Sequence, residues 1–280
     1  MNKLFLVGFV FLSTLVNAQL KVTDWMSKTG PLFPHSAIIE GDTEIGIVDV
    51  QQSKSEALRL IADVLEKGKE VKWIYVTHPH LDHFAGANYF KIFFPKAKFY
   101  SIQGANEEMT YQVKTRRLPL GQGTPGGANN LPEEAPNYFL TVKDNEILKI
   151  NGQNVEIFAG KGDHPLSSIV WVPSAKTIIA GDVIFNQIHA FFGDHNDIDA
   201  WIKLVERANE KKPEVVVAAH SKTANPSGTI VEEQLQWLKD LKKAMGENDT
   251  WQYVKSELTK KYPTWGNDFI FEFSYGVRKK

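Results

Sequence analysis

The chain has 280 residues, 42% hydrophobic and 23% charged, enough apolar material for one large folded domain. A formal charge of −1 and a pI near 6.7 exclude the basic footprint expected of a nucleic-acid binder. No cysteine occurs, which excludes disulfides, thiolate nucleophiles and thiolate metal ligands.

The first twenty residues, MNKLFLVGFVFLSTLVNAQL, combine Lys3, an apolar run from Leu4 to Val16 and small or polar residues before Gln19. That layout predicts a signal peptide over residues 1–18, cut after Ala18; about thirteen apolar residues are too few to span a bilayer. Residues 19–280 are then expected as a single domain, secreted or periplasmic, with no stable membrane insertion.

SAIIEGDTEIGIVDV predicts two strands joined at a Gly-Asp turn, and KSEALRLIADVLEKGK a helix closing near Gly68. VKWIYVT is a short apolar run rich in β-formers, followed by three histidines and an aspartate between His78 and His83. A short helix from near His83 and the strand AKFYSI come next. Residues 117–138, with GQGTPGG at their centre, predict a long loop, expected to govern substrate choice.

The second half predicts strands at YFLTV, NVEIFAG, SIVWVP, KTIIAGD and EVVVAA, with helices over DIDAWIKLVERANEKK and TIVEEQLQWLKDLKKAM. The tail beyond Gly246 carries a short helical pattern and many aromatics, expected to pack as a cap. Strands with helices outside, occurring twice, predict an α/β architecture of two packed sheets covered on both faces.

Chemistry concentrates at strand ends. His78 and His80, two apart on an extended turn, can grip one ion, and Asp82 with His83 faces the neighbouring position. His164, Asp182 and His220 each follow an apolar run, on what would be one edge of the sheet. A lone strand-end histidine is ordinarily a hydrogen-bonded structural residue; here the placement repeats.

The order H-x-H-x-D-H at 78–83, a distant His164, Asp182 after Gly181, and His220 after a strand resembles the metallo-β-lactamase superfamily over about residues 35–245. The resemblance implies an αββα sandwich, two mixed sheets flanked by helices, with a dinuclear site at their edge. It implies that His78, His80 and His164 hold the first metal, that Asp82, His83 and His220 hold the second, and that Asp182 bridges them. The implied cofactor is Zn2+, two per chain, with iron or manganese as alternatives. Asp82 would also orient the nucleophile. Asp49 matches a position where the family often keeps an aspartate behind the ligands; a strand-end turn residue is the other reading.

The expected function is an exported dinuclear hydrolase of a small ester, lactone or amide, using hydroxide held between the metals. A β-lactamase, a thioester hydrolase and a mononuclear iron oxygenase of the persulfide-dioxygenase kind are the alternatives on the same fold. The expected partner is a small-molecule substrate. Phe185 stands where the lactonases carry tyrosine, and VIFNQIHAFFGD lacks the Gly-Cys-Gly-Arg-like stretch of the glyoxalase II enzymes. His189, Phe185 and Phe192 are expected to contact substrate, aromatic packing being the other reading for His189. Asp194 or Asn196 is expected to cap the next helix, with no role for His195. Lys222 is either a carboxylate anchor or a solvated lysine. Lactam cleavage is expected to be weak.

Overall fold

The computed structural model describes residues 19–28, 33–115, 132, 134–194, 197–221 and 223–278. Strands β1 (Lys21–Met26), β2 (His35–Glu40), β3 (Glu44–Val48), β4 (Glu70–Val76), β5 (Lys98–Ile102) and β6 (Leu140–Val142) form one sheet in sequence order. β1, β2 and β3 run antiparallel, and β3 to β6 are parallel neighbours. The second sheet has the order β11–β10–β9–β8–β7, from β7 (Ile147–Ile150), β8 (Gln153–Gly160), β9 (Ser167–Val172), β10 (Thr177–Ile179) and β11 (Val215–Val217). Only the β10–β11 pair in it is parallel.

The helices are α1 (Lys54–Glu66), α2 (Leu81–Phe84), α3 (Ala87–Phe93), α4 (Ala105–Thr115), α5 (Ile198–Glu210), α6 (Ile230–Glu247), α7 (Trp251–Lys261) and α8 (Ile270–Arg278). The two-residue period of the strands divides the core. Val155 and Ile157 of β8 and Val170 and Val172 of β9 join the cluster between the sheets, with Ile38, Ile47 and Ile74 from the first sheet. Phe158, Ile169 and Trp171 point the other way, into a second cluster beneath α5, α6, α7 and α8. This is the predicted αββα sandwich: two mixed sheets with helices outside.

The caps follow the sequence. Ser53 Oγ accepts from Glu56 N at 3.1 Å to open α1, and its buried face is Ala57, Leu60, Ile61 and Val64. Asp197, not Asp194 or Asn196, caps α5, accepting from Ala200 N at 3.1 Å.

Several elements differ from the sequence expectation. β1 and β7 were not anticipated. β7 pairs with β8 across a two-residue Asn151–Gly152 turn, both at positive φ (46° and 76°), the Asn-Gly hairpin signal. β6 extends the first sheet beside β5, although it follows the long loop in sequence. The helix after the histidine motif starts at Leu81, because His80 keeps an extended backbone and serves as its N-cap. The tail forms α7 and α8 over the second core cluster. The predicted signal segment and most of the 117–138 loop lie outside the described residues, as do His195, Asn196 and Lys222. Among the described residues, no helix is long and apolar enough to cross a membrane.

Candidate metal centre

β4, β8, β10 and β11 all end at one edge, and the segments leaving them converge there. The turn after β4 supplies His78 and His80, and α2 supplies Asp82 and His83. Asp163 and His164 follow β8, Asp182 follows β10, and His220 follows β11. Gly181 makes the turn into Asp182 possible. Its φ is +49°, and a Cβ there would lie 2.6 Å from Thr77 Oγ1, so only glycine fits against the start of the histidine turn.

The donor atoms form two quartets that share Asp182, all buried except the half-buried Asp82. His78, His80, Asp163 and Asp182 make one; Asp82, His83, Asp182 and His220 make the other, the ligand atoms in each lying within 4.8 Å of one another. His220 Nε2 is 3.0 Å from Asp82 Oδ2 and 3.5 Å from Asp182 Oδ2, while His83 Nε2 is 3.3 Å from Asp182 Oδ1.

Three of the four imidazoles, those of His78, His80 and His83, are turned by partners behind them. The Thr77 hydroxyl gives its proton to Asp49, so its oxygen accepts from His78 Nδ1 at 3.1 Å. His83 Nδ1 donates to Asp49 Oδ2 at 2.8 Å, and His80 Nε2 donates to Asp194 Oδ2 at 2.7 Å. The remaining nitrogens then face the quartets, the arrangement by which carboxylates orient metal-binding histidines. His78 Nε2 and His80 Nδ1 consequently sit 3.0 Å apart, lone pair toward lone pair, which only a proton or a cation between them relieves.

These donors fit a pair of divalent cations. Asp163 Oδ2, Asp182 Oδ1 and His83 Nε2 are buried without a hydrogen-bond partner, a costly state for polar atoms unless an ion satisfies them. The electrostatics agree. Burial opposes charge on His80, but Asp163 and Asp194 outweigh it and hold its pKa well above the usual range. Burial likewise opposes charge on His220, and Asp182 with Asp82 carries it up to about 10. Burial, with Asp182 and Asp194 nearby, pushes the Asp163 carboxyl up to about 7, more than His80 pulls it down. A site this rich in carboxylates attracts cations, protons or metals alike.

The sequence profile of the metallo-beta-lactamase superfamily matches residues 29–220. The chain belongs to that superfamily. "Glyoxylase B2" of Dictyostelium discoideum is 26% identical over 133 residues, 48% of this chain and 42% of that protein. "Hydroxyacylglutathione hydrolase GloC" of Haemophilus influenzae is 30% identical over 151 residues, 54% of this chain and 66% of that protein. The chain thus spans less than two thirds of either curated relative. Among solved structures, a metallo-beta-lactamase family protein of Thermus thermophilus superposes with a TM-score of 0.64 at 17% identity, covering 92% of this chain and 91% of that one.

Of the residues singled out in the sequence, His78, His80, Asp82, His83, Asp182 and His220 fall into the two quartets. His164 stands beside them at the rim, grouped with His80 and Asp194. Asp49 is both a turn residue, with φ +59°, and the carboxylate behind His83. Sequence reasoning passed over Asp163, although it directly precedes His164, and gave Asp194 only a helix cap.

The proposed substrate contacts need correction. His189 is fully buried among Trp237, Tyr262, Trp265 and Phe271, and Trp237 Nε1 donates to its Nδ1 at 3.1 Å. It belongs to the packing of the C-terminal helices. Phe192 packs on Phe271 and Tyr275 in the same layer. Phe185 lies parallel to His220, ring centroids 5.9 Å apart, so it braces a ligand from behind. Phe191 meets the edge of His80. A cavity of about 750 Å³ is lined by Met26, Lys28, Phe33, Ile188, Asn267 and Ser221, the residue that follows His220.

Proposed function

We propose that the protein is a dinuclear metal-dependent hydrolase of a small acyl compound: an ester, lactone, amide or thioester. The observation that carries this reading is the pair of quartets sharing Asp182. His78, His80, Asp163, Asp82, His83 and His220, with the shared Asp182, would hold two divalent ions, which when bound would supply an activated water and a Lewis acid for the acyl oxygen, so the chemistry would need no serine or cysteine nucleophile.

The chain's own residues set the rest. Asp82 is the most open member of its quartet, its side chain 16% exposed against 0–6% for His83, Asp182 and His220. It therefore faces the side from which substrate arrives, where a carboxylate can accept the proton of the attacking water and fix its direction. Met26, Phe33 and Ile188 line the cavity at Ser221 with apolar surface, which suits an apolar group on the acyl or leaving side. The two curated relatives carry hydrolase or glyoxylase names, which adds thioesters to the substrates worth testing.

Metal-loaded protein should be assayed against aryl esters, lactones, S-acyl glutathione thioesters and a chromogenic cephalosporin. Turnover of an acyl ester, lactone or thioester well above that of the cephalosporin is expected. Inactivity on every acyl class, or retention of a single iron and no second metal, would overturn the reading in favour of the oxygenase. Residues 1–18 are proposed as a cleaved export signal, giving a secreted or periplasmic protein. Amino-terminal sequencing of the exported protein should begin at Gln19.

A further inference from the structure

The superfamily pattern gives the first ion to His78, His80 and His164. The imidazole of His164 is engaged differently. Its Nδ1 accepts the Leu166 backbone N–H at 3.0 Å. A neutral imidazole that accepts at Nδ1 carries its proton on Nε2. That Nε2 faces carboxylates, 3.8 Å from Glu108 Oε1 and 3.9 Å from Asp194 Oδ2. A protonated nitrogen aimed at carboxylates has no lone pair for a metal.

Asp163 is the opposite case. Its side chain is wholly buried, and its Oδ2 has no hydrogen-bond partner. That oxygen lies 3.1 Å from His80 Nδ1 and 3.8 Å from His78 Nε2, the two nitrogens turned inward by Asp194 and Thr77. A buried carboxylate oxygen without a hydrogen-bond partner, beside two inward lone pairs, is a donor set that suits a divalent cation. Asp163 is held on its other side, where Oδ1 accepts from Ser167 Oγ at 3.3 Å.

We infer that Asp163, and not His164, closes the first metal quartet together with His78, His80 and Asp182. The inference rests on the dinuclear reading and deepens it. The two half-sites become chemically alike, each with two imidazoles, one terminal aspartate and the shared Asp182. Replacing an imidazole by a carboxylate hardens the first site, which moves its preference from Zn2+ toward Mn2+ or Fe2+. His164 then braces Asp194, the carboxylate that orients His80.

Full-length mature protein titrated with Mn2+ alone, with free ion followed by electron paramagnetic resonance, reads the assignment directly. Wild type is expected to bind two ions. Asp163→Asn should weaken one of them by about 100-fold or more, beyond the loss expected from an outer-shell partner. His164→Ala should keep both within about tenfold. Loss of an ion in His164→Ala, or retention of both in Asp163→Asn, overturns the inference. A wild type that binds fewer than two ions refutes the dinuclear reading itself, which is a separate result. A second measurement needs no variant. In the Co2+-loaded wild type, paramagnetically shifted exchangeable imidazole protons should come from His78, His80, His83 and His220. A fifth, assigned to His164, overturns the inference.

Discussion

His83 Nδ1 donates to Asp49 Oδ2 at 2.8 Å, and through this bond the end of β3 sets the direction of a ligand on α2. Asp49 can do so because the ends of β3 and β4 clamp it. Its Oδ1 accepts the Thr77 N–H at 2.8 Å, and its own N–H donates to Tyr75 O at 2.8 Å. The same carboxylate takes the Thr77 hydroxyl proton, which leaves that oxygen to orient His78. One aspartate therefore turns a histidine in each quartet.

Asp49→Asn should separate positioning from ligation. Asparagine tolerates the left-handed backbone at this position, so the fold should survive. The amide cannot accept at both oxygens as the carboxylate does, and metal affinity should fall by about 10–100-fold. Competition with a chelator measures this; unchanged affinity would mean that His83 is oriented by other contacts.

Asp82→Ala is expected to lower turnover by more than tenfold while the denaturation midpoint of the metal-free protein barely moves. Asp82 sits on the open side of the centre and contributes nothing to either apolar cluster. A variant that keeps more than about a tenth of the wild-type rate would remove Asp82 from the chemistry.

Gly181→Ala tests the turn that delivers Asp182. The substitution places a Cβ against Thr77 at positive φ, and such backbone strain costs about 1–3 kcal/mol. Chemical denaturation should show that loss, and metal content should fall with it because Thr77 also orients His78. A fully stable, fully loaded variant would contradict the tight contact.

His189→Ala should be a stability mutation. It empties a packed aromatic site and leaves Trp237 Nε1 without its acceptor, at a combined cost of about 2–4 kcal/mol. The order of preference among substrates should stay as in wild type. A changed substrate ranking at unchanged stability would return His189 to the substrate.

Glu40 supplies a pH dependence remote from the metals. Lys67 first, then Lys69, hold its carboxyl down from 4.5 to about 2. A depressed folded-state pKa gives stability that is fully present above pH 4.5 and fades as pH falls toward 2. The stability difference between wild type and Glu40→Gln should therefore vanish across that window. A difference that persists below it would show that the amide loses packing instead of charge.

The sequence by itself determined the strand-and-helix alternation, because apolar runs of period two or near four register burial locally. It also named most of the residues that the fold gathers at one edge. The 78–83 motif lies within one turn, and Asp182 and His220 end strands whose direction brings them to one edge. β1 was less visible, as a polar-rich edge strand whose Val22 and Trp25 gain meaning only beside β2. The tertiary structure alone decided the finer assignments. Asp163 and His164 are adjacent in a turn, where no periodicity says which side chain points inward. The answer comes from Leu166, Ser167, Glu108 and Asp194, the last two remote in sequence. His189 and Phe192 follow the bridging aspartate closely, yet α6 and α8 supply Trp237 and Phe271 to bury them away from it. Side-chain direction past a strand end is set by long-range packing and hydrogen bonding, which a linear pattern of residue types does not encode.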